Sequence, residues 1–340
     1  MTDPSDPLFI TSSYSRIIAR ELHLQERDLS ALLRGTGLPL TVLQPGDETR
    51  LSAAQQLRII QNARAISGSP HLGLQLGHQL TPSTHGPIGY LALSSPDLIT
   101  ALQALRDFLP LRIAFAQLDL QHSDDWLQCT LQLRLAAPSE EQRILLECFA
   151  LLLQALVESV LGGPPQGARF EFAFASPGYH RVYADYFHVP TRFGAAHSCL
   201  WLPHGLIHSA NSSGDPGSYR LAQDLCHRLL EQVPAGSLSM TDRVRRLLLS
   251  MPPGAASEAE VARALFVSRR TLARRLTREG SGYRQLREQI FAEMAARHLR
   301  DTELSVEAVA ALLGYHDAAN FRRAFHRWYG CSPQDFRRGE

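Results

Sequence analysis

The chain has 340 residues, 44% of them hydrophobic, and carries 34 arginines, no lysine and 33 acidic residues for a net charge of +1. This length and composition predict a soluble protein of two or more domains. Five scattered cysteines form no C-x-x-C pair, which favours reduced thiols over a disulfide framework.

Targeting and cofactor signals are weak throughout the sequence. Residues 1–7 are acidic and lack the basic segment and apolar run of a secretory signal, so we expect a cytoplasmic protein. The 14 histidines form no H-E-x-x-H motif, and we predict no metal site and no cofactor. The long apolar segment 144–161 carries Glu147, Gln154 and Glu158 at helical spacing, which predicts a buried helix and no membrane span.

The N-terminal region begins with predicted helices. One is expected after residue 12 or 13, and the capping box Ser52-x-x-Gln55 predicts another that runs to about Ile66. With Ser95 as N-cap and Pro96 at the first helical position, we expect a further helix that carries apolar residues up to Leu105. Three to five helices are therefore expected before the first strand.

Strands follow these helices. Residues 111–120 and the strict alternation over 127–135 predict a hairpin with one buried face. A long helix from Ser139 to Leu161 should end at Gly162, and Phe170, Phe172 and Phe174 alternate as a strand, with further short strands or loops over 191–206. The order of helices, hairpin, helix and strand predicts an α+β domain over residues 1–209.

A small acid bound in this domain would need an arginine, and polar or amphipathic side chains lie beside the predicted strands. The alternative is that these side chains are surface charges and ordinary packing aromatics. The candidates for ligand binding are Tyr90, Arg112, Trp126, Arg134 and Arg169.

Residues 210–239 are predicted to be a linker that contains a helix. Two turn-forming segments, 210–216 and 234–239, flank a helix over 218–232, and the first segment is expected to be mobile. Leu221, Leu225 and Leu229 share one face of that helix. This stripe fits a seam between protomers or domains, and it fits packing within the domain equally well.

The remaining residues, 240–340, contain two helix-turn-helix patterns. In the first, the capping box Ser257-x-x-Glu260 opens a short helix, and Ser268 is expected to cap a second helix over 269–279. Leu272 and Leu276 of that helix would face the core of the domain, which leaves its outer face basic.

The second pattern repeats this plan after a long helix. Ser305 should cap a helix that ends near Gly314, and Asp317 should cap a helix from Ala318 to about Tyr329 with a buried aromatic stripe. The connecting helix, residues 282–300, would be about 28 Å long. Such a rod could place two reading helices about one DNA turn, roughly 34 Å, apart.

Charge is divided between the two halves. Residues 241–340 hold 18 arginines against 12 acidic residues, a net charge of +6, whereas residues 1–240 hold 16 against 21, a net charge of −5. A basic domain beside an acidic one is expected when only one of them meets nucleic acid.

The string from Leu313 to Arg337, L-G-Y-H-D-A-A-N-F-R-R-A-F-H-R-W-Y-G-C-S-P-Q-D-F-R, resembles the signature of the AraC/XylS family of bacterial transcription regulators. Phe266 departs from the family pattern, in which a small residue is common in the first turn. The resemblance implies an all-α DNA-binding domain with two helix-turn-helix units. It also implies that the base-reading residues are Arg270, Ala273, Arg274, Ala318, Ala319, Asn320 and Arg323.

The chemistry of these side chains agrees, because arginine can bind guanine bidentately, asparagine can read adenine and alanine can contact a thymine methyl. Other positions on the same helices are more suited to phosphate, including the two helix starts. The predicted phosphate contacts are Ser268, Arg269, Arg278, Asp317, Arg322 and Arg327. The alternative is that these arginines form only a solvated face.

The segments His85-Gly-Pro-Ile-Gly-Tyr-Leu-Ala and Ser94-Ser-Pro-Asp-Leu resemble the arabinose-binding-like sensor domain of a subset of the same family, over about residues 15–205. This resemblance implies a sensor that binds a small molecule, which need not be arabinose, and that dimerises. The partners expected are double-stranded DNA, a small-molecule effector, RNA polymerase and a second copy of the chain.

The two alternative classes of protein are a DNA-repair enzyme and a haem or gas sensor. An alkyl-transfer repair enzyme with similar DNA-binding helices would need an activated cysteine or a metal cluster, and no such motif is present. The hypothesis of a haem or gas sensor is supported by the number of histidines alone. We therefore expect a regulator and not an enzyme.

Overall fold

The computed structural model describes residues 8–123, 125–233, 238–250, 257–302, 304–315 and 317–338. The chain divides into two compact units, Met1–Ser237 (unit 1) and Leu238–Glu340 (unit 2). Unit 1 is an α+β domain and unit 2 is helical, as the sequence predicts.

Unit 1 opens with a short antiparallel pair of strands and a group of helices. Thr11 of the first strand lies opposite Arg50 of the second. The elements are β1 (Phe9–Thr11), α1 (Ser13–Glu21), α2 (Leu29–Leu32), β2 (Arg50–Ser52), α3 (Ala53–Ser67), α4 (Leu72–His78), α5 (Pro87–Leu93) and α6 (Leu98–Phe108).

Two helix starts test the predicted caps. At α3, Ser52 and Gln55 form both hydrogen bonds of the capping box, so that prediction is confirmed. At α6 the predicted cap Ser95 is wrong. The Ser95 hydroxyl donates to the Ala92 carbonyl (2.6 Å), and Asp97 caps α6 by accepting the Thr100 N–H (2.9 Å).

A five-stranded mixed sheet forms the second part of unit 1. Its strands are β3 (Ala116–His122), β4 (Trp126–Leu133), β5 (Arg169–Phe172), β6 (Thr191–Phe193) and β7 (Cys199–Pro203), in the spatial order β3-β4-β7-β5-β6. Only the β5–β6 pair is parallel among the described strands. The predicted hairpin is present, but β3 begins at Ala116 because residues 109–111 form a 3-10 turn.

Helix α7 (Ser139–Leu161) lies at the centre of unit 1 and packs against α4, α6 and β4. Its length and mean hydropathy of 2.1 would suffice to cross a membrane, but its apolar residues are mostly buried within unit 1. The crossing with α4 is close because that helix presents Gly73 and Gly77. A Cβ on Gly77 would lie 3.0 Å from the Cys148 Cα.

Helix α8 (Pro216–Glu231) packs against α5, and the segment before it is anchored. The Asn211 side chain donates to the carbonyls of Leu93 (2.7 Å) and Ser95 (2.8 Å), which attaches the turn predicted to be mobile to the end of α5. The buried face of α8 carries Ala222 and Cys226. Part of the predicted second linker segment, 234–237, lies outside the described residues.

Unit 2 contains seven described helices around two apolar cores. Ser239 and Asp242 cap the first helix through paired hydrogen bonds of 2.8 and 3.1 Å. The helices are α9 (Met240–Ser250), α10 (Glu258–Ala264), α11 (Arg269–Arg278), α12 (Tyr283–Asp301), α13 (Val306–Leu312), α14 (Ala318–Tyr329) and α15 (Pro333–Arg338).

Candidate nucleic-acid interface and effector cavity

The first helix-turn-helix comprises α10 and α11. Ser257 and Glu260 make both bonds of the predicted capping box, and Ser268 Oγ accepts the Thr271 N–H (3.1 Å). Leu272 and Leu276 are fully buried in the first core. Since these leucines fix the inner face of α11, the orientation of its outer face follows from packing alone.

The outer face of α11 is exposed and strongly basic. The predicted residues Arg270, Ala273 and Arg274 all lie on it, and so does Arg278. Arg269 is also exposed and pairs with Glu258 of α10 at 3.4 Å. Arg275, for which the sequence pattern predicts no role, is exposed on the same helix.

The second helix-turn-helix comprises α13 and α14. Ser305 Oγ accepts the Ala308 N–H (3.1 Å) and caps α13. On α14, Phe321 and Phe325 are fully buried in the second core, and Trp328 is partly buried beside them. The aromatic stripe predicted from the sequence is therefore the inner face of α14.

The outer face of α14 holds a connected series of polar side chains. Asp317 Oδ1 accepts the Asn320 N–H (2.6 Å), and Asp317 Oδ2 accepts the Asn320 side-chain amide (2.5 Å). Asn320 Oδ1 in turn accepts from Arg323 Nη2 (2.6 Å). Two predicted base-reading side chains are thus held next to one another before any DNA is bound.

Two predicted positions at the start of α14 differ from the others in charge or burial. Asp317 is negatively charged and its side chain accepts a helix N–H, so a phosphate at this end of α14 would meet the backbone N–H groups and not the carboxylate. Ala318 is partly buried against the second core, whereas Ala319 is exposed. Ala319 is therefore the better placed of the two to contact a thymine methyl.

The predicted phosphate-binding arginines of α14 point away from its core and pair with glutamates of neighbouring helices. Arg322 donates to Glu307 of α13 at 2.5 Å, and Arg327 lies 3.4 Å from Glu288 of α12. Exposed pairs of this kind contribute little to stability, so a phosphate can compete for either guanidinium.

Helix α12 joins the two helix-turn-helix motifs of unit 2. Its 19 residues span about 28 Å. Leu286 and Ile290 belong to the first core, while Ala295 and Leu299 belong to the second. Because α12 contributes to both cores, it fixes the spacing of α11 and α14.

The two turns differ at equivalent positions. Gly314 follows α13 with φ +74°, and Phe266 follows α10 with φ +55°. This backbone region favours glycine, and the Phe266 side chain is 95% exposed. The first turn therefore keeps the shape of the second at the cost of a strained aromatic residue.

Unit 1 contains an apolar cavity of about 70 Å³ between helices α1, α3, α4 and α7 and strand β3. Its lining is aliphatic and aromatic apart from Tyr14, Gln56, His85 and Cys148. Tyr14 OH and His85 Nδ1 are 2.5 Å apart and buried. Burial and the nearby Arg112 charge lower the pKa of His85 to about 3, so its ring is neutral at physiological pH.

Comparison with known proteins agrees with both units. Residues 27–210 match the family described as the arabinose-binding domain of AraC transcription regulator, and residues 261–339 match a helix-turn-helix domain. The chain belongs to the AraC family of transcription regulators.

Relatives of this AraC-family regulator include the ornithine utilization regulator of Pseudomonas aeruginosa, 33% identical over 85% of this chain and 84% of the relative. VirS of Mycobacterium tuberculosis is 26% identical over 86% of this chain and 85% of its own. The solved structure of the regulator CdpR from P. aeruginosa is 26% identical, with a TM-score of 0.46 over 95% of this chain and 98% of that chain.

The five residues predicted to bind a ligand do not form one site in this regulator. Tyr90 is exposed on α5. Arg169 stacks on Trp126 at 4.5 Å, on the face of the sheet opposite the buried leucines of β4. Arg134 directly follows the last residue of β4. Arg112 lies beside the cavity residue Tyr14, 5.9 Å from the centre of its ring.

The cavity residues were missed because they come from distant parts of the chain. Tyr14 and His85 are 71 positions apart, and each lies among apolar residues that predict only a core face. The available signal was a hydrogen-bonding residue on each apolar face, namely Tyr14 beside Ile17 and Gln56 beside Ile60.

The cysteines are not activated. Burial is the first cause of a raised pKa at all five thiols, including Cys199 and Cys226, each at about 11. A thiol of raised pKa is a poor nucleophile at neutral pH. Among the described residues, no group of three or more histidine, cysteine or acidic side chains could hold a metal ion.

Proposed function

We propose that α11 and α14 of this regulator enter two successive major grooves on one face of duplex DNA. The observation that carries this proposal is α12, which joins the two cores over about 28 Å and leaves both basic faces exposed. The bases would be read by Arg270, Ala273, Arg274, Ala319, Asn320 and Arg323, with Ala318 at the edge of the contact.

The phosphate contacts in this proposal come from the flanks of the two reading helices. Arg269, Arg278, Arg322 and Arg327 are exposed, and three of them pair with glutamates of neighbouring helices. Ser268 lies at the start of α11, where backbone N–H groups favour an anion. These contacts position the protein, and the base contacts carry the specificity.

The rest of the chain controls this binding in our proposal. Residues 1–209 sense a small molecule, residues 210–239 connect, and residues 240–340 bind DNA in the cytoplasm, where the complex meets RNA polymerase. Exposed Leu221 and Leu225, one turn apart on α8, support a homodimer formed through that helix. Apolar side chains that share one exposed face favour self-association, because association removes them from water.

The effector is a separate question. A relative is named for ornithine utilization, which makes a dibasic amino acid one candidate. Ornithine carries two ammonium groups and a carboxylate, and the cavity is lined by neither an acidic side chain nor an arginine. Such charges would be buried without partners, so we favour a different class of effector.

The experiment that tests the proposed function is genome-wide occupancy of the protein, followed by binding of the purified protein to the best site. Binding is measured at two salt concentrations against a random duplex, because phosphate contacts dominate affinity and depend on salt. We expect a clear preference for the best site, located beside particular operons. Equal affinity for the random duplex at both salt concentrations would contradict sequence-specific regulation.

A further inference from the structure

The size and lining of the cavity in unit 1 indicate which class of effector it binds. This inference rests on the proposed sensor function. Its volume, about 70 Å³, is roughly half that of a protein cavity of about 150 Å³ known to hold benzene. Six isoleucines contribute much of the wall, so water gains little there. They are Ile10, Ile17, Ile18, Ile60, Ile113 and Ile144.

A relay of polar groups runs from the surface to this cavity. Arg112 Nη1 donates to Glu48 (2.6 Å) and Nη2 donates to Ser13 Oγ (2.6 Å). The guanidinium carbon lies 5.9 Å from the centre of the Tyr14 ring.

The direction of the Tyr14–His85 hydrogen bond determines the tautomer of His85. Burial raises the pKa of Tyr14, so the hydroxyl keeps its proton, and among the described residues its acceptor is His85 Nδ1 at 2.5 Å. If the hydroxyl accepted from Nδ1 instead, its own buried proton would have no acceptor. A neutral imidazole that accepts at Nδ1 carries its proton at Nε2. His85 therefore offers an N–H donor from Nε2.

This donor has no partner among the described residues. His85 is 2% exposed, it lines the cavity, and its Nε2 atom is buried without a hydrogen bond. A buried donor left without an acceptor is unfavourable, and an acceptor brought by a ligand would remove that cost. An ammonium group could not do so, because it has no lone pair.

We propose that the cavity binds an uncharged, mainly apolar effector that carries one hydrogen-bond acceptor, such as a carbonyl oxygen, paired with the Nε2–H of His85. The apolar walls supply affinity for the body of the molecule, and His85 orients it. Since the cavity is small, the buried part of the molecule is a short branched chain.

The test uses the full-length protein with its isoleucine methyl groups labelled for NMR. Acetone and isobutene are small probes of nearly equal shape that suit a cavity of this size, and only acetone has an acceptor. We expect both to shift the signals of the six cavity isoleucines and to leave Ile290 of unit 2 unchanged. Acetone should bind about fivefold more tightly, the effect of one neutral hydrogen bond.

Two variants separate the hydrogen bond from the cavity itself. In His85→Phe the cavity walls remain apolar, and we expect the preference for acetone to disappear while isobutene still binds. His188→Phe is the matched control, because His188 is half exposed and bonds Glu158 outside the cavity. That variant should keep the fivefold preference.

Three results would overturn the inference. These are equal affinity of the two probes for the unchanged protein, shifts caused by ornithine at the same isoleucines, and no shift with either probe. Each can occur while the protein still prefers its best genomic site over random DNA, in which case DNA regulation stands and only the effector class is wrong. Loss of that DNA preference would instead refute the proposed function.

Discussion

Arg323 and Arg327 lie on the same helix and should have different tasks. Arg323 is held by Asn320 on the outer face of α14, whereas Arg327 lies one turn further along beside Glu288. We expect Arg323→Ala to cost about 1–3 kcal/mol on the best site and to relax specificity at one base position. Arg327→Ala should weaken the best site and random DNA alike and reduce the salt slope by about one.

Titration of each variant against the best site, single-base variants of it and a random duplex checks both expectations. Arg181→Ala is a suitable control, because Arg181 is an exposed arginine of unit 1. An equal loss on all duplexes for Arg323→Ala would assign that residue to the phosphate backbone instead.

Phe266 offers a stability prediction at the first turn. Its φ of +55° is strained for a residue with a Cβ, and its ring is almost fully exposed, so it gains little from packing. Phe266→Gly should raise the unfolding free energy of unit 2 by about 0.5–1 kcal/mol, since relief of strain exceeds the added chain entropy.

Unfolding of unit 2 can be followed by the fluorescence of Trp328 in a background with Trp126→Phe and Trp201→Phe. Gly314→Ala is the reciprocal control, because it places a Cβ at φ +74° and should destabilise the second turn by about 1 kcal/mol. A less stable Phe266→Gly protein would show that the ring makes a stabilising contact.

His85 should make unit 1 sensitive to acid. Its pKa of about 3 in the folded state lies below the ordinary value near 6.5, so the unfolded chain binds the proton more readily. Stability from the neutral ring is present above about pH 6.5 and is lost as the pH falls toward 3. Between pH 7 and 5 this loss amounts to about 2 kcal/mol.

The measurement compares urea unfolding of the Trp328→Phe protein with that of the same protein carrying His85→Phe, at pH 7 and pH 5. Glu147 has a raised pKa, mainly through burial, so its contribution is lost as the pH rises and opposes that of His85. The difference between the two proteins cancels Glu147. No change in that difference with pH would mean that His85 is already charged or exposed.

Local signals at single residues explain which caps the sequence predicts correctly. Ser52, Ser257, Ser268 and Ser305 each bond an N–H three residues ahead, a contact that short-range sequence determines. Ser95 fails as a cap because its hydroxyl bonds backward to Ala92, and Asp97 is next in line with a stronger acceptor.

Among elements, the crossing of α4 and α7 depends on two glycines that let the helices approach closely. A Cβ on Gly77 would lie 2.7 Å from Leu151 Cδ1 and 3.0 Å from the Cys148 Cα, which leaves no space for it. We expect Gly77→Ala to destabilise unit 1 by about 1–3 kcal/mol, although alanine favours helix.

Gly163→Ala is the matched control for this crossing, since a Cβ there has nothing within 4 Å. Urea unfolding reported by Trp126 and Trp201 in the Trp328→Phe background should therefore distinguish the two substitutions. If Gly77→Ala is as stable as the control, α4 and α7 are further apart than the structure places them.

Helix α8 shows what periodicity leaves undecided at the level of elements. Leu221, Leu225 and Leu229 form a regular stripe, but Ala222 and Cys226 on the adjoining face are the buried residues, and Leu221 is 72% exposed. Small residues there let α8 approach α5. The sequence shows that α8 is amphipathic, but the packing partner decides which stripe is buried.

At the scale of the whole molecule, the small net charge is the sum of a basic C-terminal part and an acidic N-terminal part. Unit 2 residues from 241 onward carry a net charge of +6 and the preceding residues −5, so the long-range field that attracts DNA comes from one end of the sequence. The DNA-binding half is also the part that the sequence alone describes best, because its two motifs are local and repeated. The effector cavity needed the folded structure, since its walls come from residues spread over 10–152.

The two halves must be coupled energetically if this regulator responds to an effector. A molecule that occupies the cavity should change the affinity for the best genomic site by a factor of about 5–150, the usual range of allosteric coupling. Fluorescence anisotropy of the labelled site, with and without a compound that shifts the cavity isoleucines, measures this factor. By thermodynamic linkage the site must change the affinity of that compound equally, which isoleucine NMR measures independently. A factor of one in both measurements would mean that occupancy of this cavity does not control DNA binding, because a ligand that binds both states equally shifts neither.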